Sequence, residues 1–122
     1  MRLPTRVHGM LDYALGVLLI AAPWLLRFAA GGAETWVPVG VGAALLVWSL
    51  CTDYELGAAK RLQMAAHLWL DAIGGVFLAV SPWLLGFDGD VWLPHVAVGA
   101  LMVLAAAVTD TIPAYERRRA AR

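Results

Sequence analysis

Four long apolar stretches alternate with short polar segments along the chain. They cover residues 11–28, 37–51, 62–85 and 91–108. A helix needs about 20 mainly apolar residues to cross the hydrocarbon core of a bilayer, and about 17 suffice where the bilayer adapts. Three stretches meet this length, and the second does so once Trp36 and Thr52 are included. Because four strands could not close a barrel in lipid, the pattern predicts four membrane-spanning helices.

Composition supports a membrane protein. The chain has 122 residues, of which 61% are hydrophobic and 15% are charged, whereas a soluble domain is about 45–50% apolar and about 25% charged. A fold of this size cannot bury so much apolar surface in its own core, which excludes a soluble monomer. The same composition excludes a disordered chain. One cysteine and a net charge of zero exclude a disulfide scaffold and a nucleic-acid-binding protein.

The basic residues predict the orientation in the membrane. All of the nine lysines and arginines except Arg27 lie near the termini or between the second and third stretches. Basic loops stay in the cytoplasm, so we expect both termini and the central loop there, with loops 29–35 and 88–90 outside. An aromatic belt is predicted at the outer boundary, formed by Trp24, Trp36, Trp83 and Trp92.

The second half of the chain repeats the first. With an offset of 59 residues, segment 8–28 aligns with 67–87, and eleven of the 21 aligned residues are identical. The second and fourth stretches match more weakly, for example at Trp36 and Trp92. We therefore predict a single membrane domain, 1–122, made of two tandem two-helix hairpins related by a pseudo-two-fold axis along the membrane normal. Its parts are repeat one at about 5–56, repeat two at about 61–112, and a basic cytoplasmic tail at 113–122.

A short motif recurs near the end of the first helix of each repeat. It reads Ala22-Pro23-Trp24 in one copy and Ser81-Pro82-Trp83 in the other. On this motif, and over about residues 8–110, the sequence resembles the SPW-repeat family of small bacterial integral membrane proteins. The resemblance implies an all-α, four-helix transmembrane bundle in the bacterial cytoplasmic (inner) membrane, and it implies no activity. Because Ala22 replaces serine in the first copy, we do not interpret Ser81 as a nucleophile.

The repeat preserves one face of each helix. At 100° per residue, His8, Asp12 and Gly16 share a face of the first helix, and their counterparts share a face of the third. Small residues let membrane helices approach closely. The predicted packing glycines are Gly16, Gly42, Gly75 and Gly99. We also predict a polar cluster near the cytoplasmic boundary, formed by His8, Asp12, Asp53, His67, Asp71 and Asp110.

This cluster has three interpretations. In the favoured one, its groups hydrogen-bond one another and lock the hairpins together, because buried polar groups must be paired. The second is a proton or ion path, but the outer halves of the spans contain no ionisable residue except Arg27 and His95, so an oligomer would be needed. The third is a metal or haem held by His8 and His67, for which no Cys pair or HExxH sequence is present. We expect no metal and no cofactor.

The sequence contains no pattern typical of an active site. We find no nucleophile–base pair at the aqueous faces, no phosphate-binding loop and no nucleotide fingerprint. We therefore expect a membrane protein without catalytic chemistry that has a structural or protein-interaction (accessory) role. Its expected partners are the lipid bilayer and either a second copy or another membrane protein, and not nucleic acid. The alternative is an oligomeric protein that conducts protons or ions, or transports a small solute, through the His/Asp cluster.

Overall fold

The chain is all-helical. The computed structural model describes residues 2–122, and this range contains five helices and no strand. They are α1 (Thr5–Leu25), α2 (Ala33–Leu50), α3 (Met64–Leu84), α4 (Leu93–Val108) and α5 (Ala114–Ala120). The first three are long and apolar enough to cross a membrane, and α4 is shorter, with 16 residues. The predicted helical class is confirmed, and three to four apolar helices suggest a multi-pass membrane protein.

The four long helices turn large apolar side chains outward. Val17, Val47, Ile73 and Leu104, one from each helix, are each about 60% exposed. A soluble monomer rarely leaves extended apolar patches in water. This exposed apolar surface therefore suits a lipid environment better than an aqueous one.

Each of the two helix pairs α1–α2 and α3–α4 is packed through glycine. A methyl group added at Gly42 would lie 2.7 Å from the carbonyl oxygen of Gly16, and one added at Gly75 would lie 2.7 Å from that of Gly99. These distances are shorter than van der Waals contact, so a larger residue would push the backbones apart. The glycines therefore set the close approach of the two helices in each pair.

The repeated motif ends α1 and α3 in the same way. The carbonyl of Pro23 accepts hydrogen bonds from the N–H groups five and six residues later, and the carbonyl of Pro82 does the same. The Ser81 hydroxyl donates to the Leu78 carbonyl at 2.7 Å, a bond that Ala22 cannot make. The motif tryptophans pack on tryptophans near the start of the next helix, in the pairs Trp24–Trp36 and Trp83–Trp92. The motif thus shapes the turn between α1 and α2, and between α3 and α4.

We call the end where α1 and α3 begin the inner end, and the turns α1–α2 and α3–α4 the outer turns. At the inner end, the segments that lead into α1 and α3 each pair with the other repeat. Leu3, before α1, forms backbone hydrogen bonds of 2.7 and 2.9 Å with residues 108 and 110, where α4 ends. Leu62, before α3, forms equivalent bonds of 2.7 and 2.6 Å with residues 51 and 53, after α2. Each segment therefore pairs with the second helix of the other repeat.

The middle of the molecule is apolar. Its buried side chains form one core cluster composed of Leu15, Leu19, Val41, Leu45, Leu78 and Met102. Residues from all four long helices contribute to it, so the cluster fills the space between the outer turns and the inner end. The polar groups at the inner end consequently lie on one side of an apolar layer.

Candidate functional site

Two histidines and two aspartates meet at the inner end of α1 and α3. His8 and His67 lie three residues after the first residue of their helices, and Asp12 and Asp71 follow four residues later. Because this spacing is about one helical turn, the histidine and the aspartate of each helix point in the same direction. None of the four is more than 1% exposed. We refer to these four residues as the His–Asp tetrad.

The shortest contacts of the tetrad join α1 to α3. His8 Nε2 lies 2.5 Å from Asp71 Oδ2, and His67 Nε2 lies 2.6 Å from Asp12 Oδ2. The histidine and the aspartate of the same helix are also in contact, but at longer distances of 2.9 Å in α1 and 3.2 Å in α3. The nearer carboxylate of each histidine thus belongs to the other repeat.

A threonine orients each histidine from the other side of the ring. His8 Nδ1 lies 2.8 Å from Thr109 Oγ1, and His67 Nδ1 lies 2.7 Å from Thr52 Oγ1. Each threonine hydroxyl donates its one proton to the carbonyl oxygen four residues earlier, at 2.5 Å. It can therefore only accept a hydrogen bond from the ring. It follows that both histidines are protonated on Nδ1 and direct Nε2 at the carboxylates.

The tetrad has one contact that the repeat does not duplicate. The indole N–H of Trp48 donates a hydrogen bond of 2.8 Å to Asp71 Oδ1. The corresponding position of the second repeat holds Ala105, whose side chain has no N–H to offer Asp12. No sequence pattern pointed to Trp48. The two threonines were also missed, although their identity at matched positions of the two repeats was a usable signal.

Asp53 and Asp110, predicted to belong to the cluster, lie outside the tetrad. Asp110 forms ion pairs with Arg2, at 3.6 Å, and with Arg117, and Asp53 accepts a hydrogen bond from the Tyr115 hydroxyl. Burial and the bond to Asp53 raise the pKa of Tyr115. They lie apart from the tetrad because both aspartates follow the end of their helix. Their backbone N–H groups pair with the segments before α3 and α1, and both residues are partly exposed.

The tetrad is a set of residues that could hold a metal ion. One ligand atom from each of the four residues lies within 4.8 Å of the others. With Nδ1 of each ring protonated, the two aspartates give the group a charge of −2 when both Nε2 atoms are unprotonated. A buried charge must be compensated, so the arrangement requires two further protons, shared along the short N···O contacts, or a cation.

No comparable set of ionisable groups continues toward the outer turns. Beyond Asp12 and Asp71, helices α1 and α3 contain no Asp, Glu, His, Lys or Arg. At the outer end, His95 is buried between the rings of Phe28 and Phe87, and its Nε2–H donates to the Glu34 carbonyl at 3.0 Å. The apolar core lies between this histidine and the tetrad. Residues 2–122 thus provide a buried polar cross-link and no continuous chain of ionisable groups.

Comparison with protein families identifies a match. A model of the SPW repeat domain matches residues 6–109, a range that includes the whole tetrad, both threonines and both copies of the Pro-Trp motif. No curated protein and no solved structure matches the chain.

Proposed function

Because the chain belongs to the SPW repeat family and its apolar helices suggest a multi-pass membrane protein, we propose that it is a non-catalytic structural or accessory subunit of the bacterial cytoplasmic membrane. The proposed architecture is a four-helix transmembrane bundle of two tandem hairpins, α1–α2 and α3–α4. The tetrad locks the two hairpins together. The proposed partners are the bilayer and either a second copy of the chain or another membrane protein.

One observation carries the proposed lock. The threonine and the nearer carboxylate that bind each histidine both belong to the other repeat. Both ring nitrogens are occupied in this way, and all four tetrad residues are buried. Buried polar networks that are fully satisfied favour one arrangement over its competitors. This arrangement supports a role in holding the repeats in register.

We propose that both termini are cytoplasmic. In support, the inner end of the molecule includes Arg2 and Arg117, which bind Asp110, whereas Arg27 follows α1 at the outer end. Basic segments are retained on the cytoplasmic side. A cytoplasm-dependent reporter fused after Arg122 should be active, and one that needs export should be inactive. The reverse result would overturn the proposed orientation.

The competing function is an oligomer that conducts protons or ions, or carries a small solute. The presence of ionisable groups inside the spans favours it. Liposomes that contain the purified chain and an internal pH dye separate proton conduction from the structural role. We expect no proton flux above that of empty liposomes, and a lower melting temperature in Asp12→Asn/Asp71→Asn. A flux that this variant abolishes and the matched variant Asp88→Asn/Asp90→Asn retains would refute the structural role.

A further inference from the structure

We infer that the His–Asp tetrad binds one divalent transition-metal ion, and that its ligands suit Zn²⁺ best. The ligand atoms are Nε2 of His8 and His67 and one carboxylate oxygen each of Asp12 and Asp71, which all lie within 4.8 Å of one another. This inference goes beyond the proposed function, because a lock between the hairpins needs only hydrogen bonds.

The distances in the tetrad are close to those of a tetrahedral site. The four contacts between a histidine Nε2 and an aspartate Oδ2 measure 2.5, 2.6, 2.9 and 3.2 Å. Metal–ligand bonds of about 2.0–2.1 Å at tetrahedral angles place neighbouring ligand atoms about 3.3 Å apart. These four pairs therefore need to separate by less than about 1 Å to admit the ion, and the two remaining pairs of ligand atoms lie within 4.8 Å. Such a movement is within the reach of small rotations about the side-chain bonds.

The surrounding residues orient these atoms as they would around a metal. A metal-binding histidine usually donates its second N–H to a fixed acceptor, which sets the tautomer and aims the free nitrogen at the ion. Thr109 and Thr52 are such acceptors for His8 and His67. On the carboxylate side, the Trp48 indole N–H donates to Asp71 Oδ1, which leaves Oδ2 to bind the ion in a monodentate manner.

Charge is balanced by the same arrangement. With both rings protonated only on Nδ1, the tetrad carries −2, which a divalent ion neutralises without any further group. The ion would then take the place of the two protons otherwise shared between the nitrogens and the carboxylates. Neutralisation matters here because each member of the tetrad is at most 1% exposed and an uncompensated buried charge is costly.

The donor set favours Zn²⁺ over the other common ions. Two imidazoles and two carboxylates suit zinc and its neighbours in the first transition series, whereas Mg²⁺ and Ca²⁺ prefer sites made of oxygen alone. Four protein ligands leave no coordination position for water or substrate, which is typical of structural and not of catalytic zinc. The ion would bridge α1 and α3, and it should stabilise the fold because the unfolded chain lacks the site.

The test uses the full chain in detergent, freed of metal with a chelator and then titrated with ZnCl₂ or CoCl₂. We expect one ion per chain, the visible absorption of tetrahedral Co²⁺, and a rise in melting temperature with Zn²⁺. All three should be lost in Asp12→Asn/Asp71→Asn, which removes two carboxylates while keeping their shape. They should persist in Asp88→Asn/Asp90→Asn, which removes the same charge from an exposed loop.

A second variant keeps the test decisive if the first does not fold. Thr52→Val/Thr109→Val retains all four ligands and removes both hydroxyls that orient the rings, so Zn²⁺ affinity should fall about 10–100-fold. A folded wild-type chain that binds neither ion and shows no metal-dependent melting shift would overturn the metal site. Binding that survives in Asp12→Asn/Asp71→Asn would do the same. In either case, destabilisation of the metal-free protein by tetrad variants would still support the lock.

Discussion

The interface within each repeat is made of close backbone contacts at glycine, whereas the interface between the repeats at the inner end is made of polar side chains. Within each repeat, the two helices meet where Gly16 faces Gly42 and Gly75 faces Gly99, with backbone close to backbone. Between the repeats, at the inner end, imidazoles, carboxylates and hydroxyls meet. Burying apolar groups drives no association in lipid, where the surroundings are already apolar. Close packing therefore joins neighbouring helices, and hydrogen bonds specify how the repeats pair.

This comparison makes a general prediction about sensitivity. An interface of glycines responds to the volume of a side chain and ignores its polarity, because its contacts are dispersive and steric. An interface of paired polar groups responds to single atoms, because each unpaired buried donor or acceptor is costly. Matched substitutions should therefore separate the two interfaces.

The largest effect is expected from breaking the tetrad. Asp71→Ala leaves His8 without its nearer carboxylate and Trp48 without its acceptor, and removing one partner of a buried ion pair costs about 3–5 kcal/mol. The free energy of unfolding in mixed micelles measures the loss. Asp88→Ala, in an exposed loop, is the control and should change it by less than about 0.5 kcal/mol. Equal stability of the two variants would show that the tetrad does not hold the repeats together.

A smaller but clear loss is expected within a repeat. Gly42→Ala places a methyl group 2.7 Å from the carbonyl oxygen of Gly16, and overpacking of this kind costs about 1–3 kcal/mol. Gly40→Ala is the matched control, because the same methyl group on the same helix meets nothing within 4 Å. Both substitutions gain helix propensity equally, so the difference in melting temperature isolates the contact. If both variants have the same melting temperature, the glycines do not set the distance between the two helices.

Removing one hydroxyl should cost less than removing a carboxylate. Thr52→Val keeps the shape of the side chain and leaves the Nδ1–H of His67 without an acceptor, for about 1–2 kcal/mol. Thr109→Val should have a similar effect through His8, because the contacts of the two threonines correspond. The exposed Thr111→Val serves as the reference in thermal unfolding. A loss at only one of the two buried threonines would argue against equivalent repeats.

The hydrogen bond from Trp48 to Asp71, which the repeat does not duplicate, should contribute still less to the free energy of unfolding. Trp48→Phe removes the N–H that binds Asp71 and keeps an aromatic ring, so we expect a loss of about 0.5–1.5 kcal/mol. Trp69→Phe makes the same chemical change at a side chain that is 70% exposed, and should be close to neutral. Thermal unfolding of the two variants measures the difference in stability. If Trp48→Phe loses no more stability than Trp69→Phe, the indole N–H of Trp48 is unimportant.

The sequence predicted the helices well because apolar length and repetition are local signals. The repeat also led to His8, Asp12, His67 and Asp71, since shared hydrophobicity alone does not place ionisable residues at matched positions. The sequence prediction also grouped Asp53 and Asp110 with these four residues, because a helical wheel continues past the point where a helix ends. What ends α2 and α4 is pairing with Leu62 and Leu3, which are remote in sequence. Contacts made across the fold, such as that of Trp48, leave no periodic signal.

A third kind of contact ties the inner end together outside the apolar layer. The Glu55 carboxylate, between α2 and α3, accepts hydrogen bonds from the Thr5 hydroxyl, at 2.9 and 2.7 Å, and from the Ala114 N–H, at 3.1 Å. Burial alone would raise the pKa of Glu55. Hydrogen bonds from Thr5, from its own N–H and from Ala114, together with the charge of Lys60, outweigh burial and lower the pKa below the ordinary value of 4.5. Unlike the tetrad, this carboxylate is partly exposed to water.

The smallest predicted effect is therefore the one that depends on pH. Because the pKa of Glu55 is lower in the folded chain than in the unfolded one, its contribution is present above about pH 4.5 and lost as pH falls through the folded value. Glu55→Gln should lower the melting temperature at pH 7. The corresponding loss in the free energy of unfolding should be under about 1 kcal/mol, because water screens the group. The difference from wild type should vanish in acid. The exposed Glu116→Gln should show no such convergence. A difference for Glu55→Gln that stays constant from neutral to acidic pH would mean that shape, and not the carboxylate charge, supports this contact.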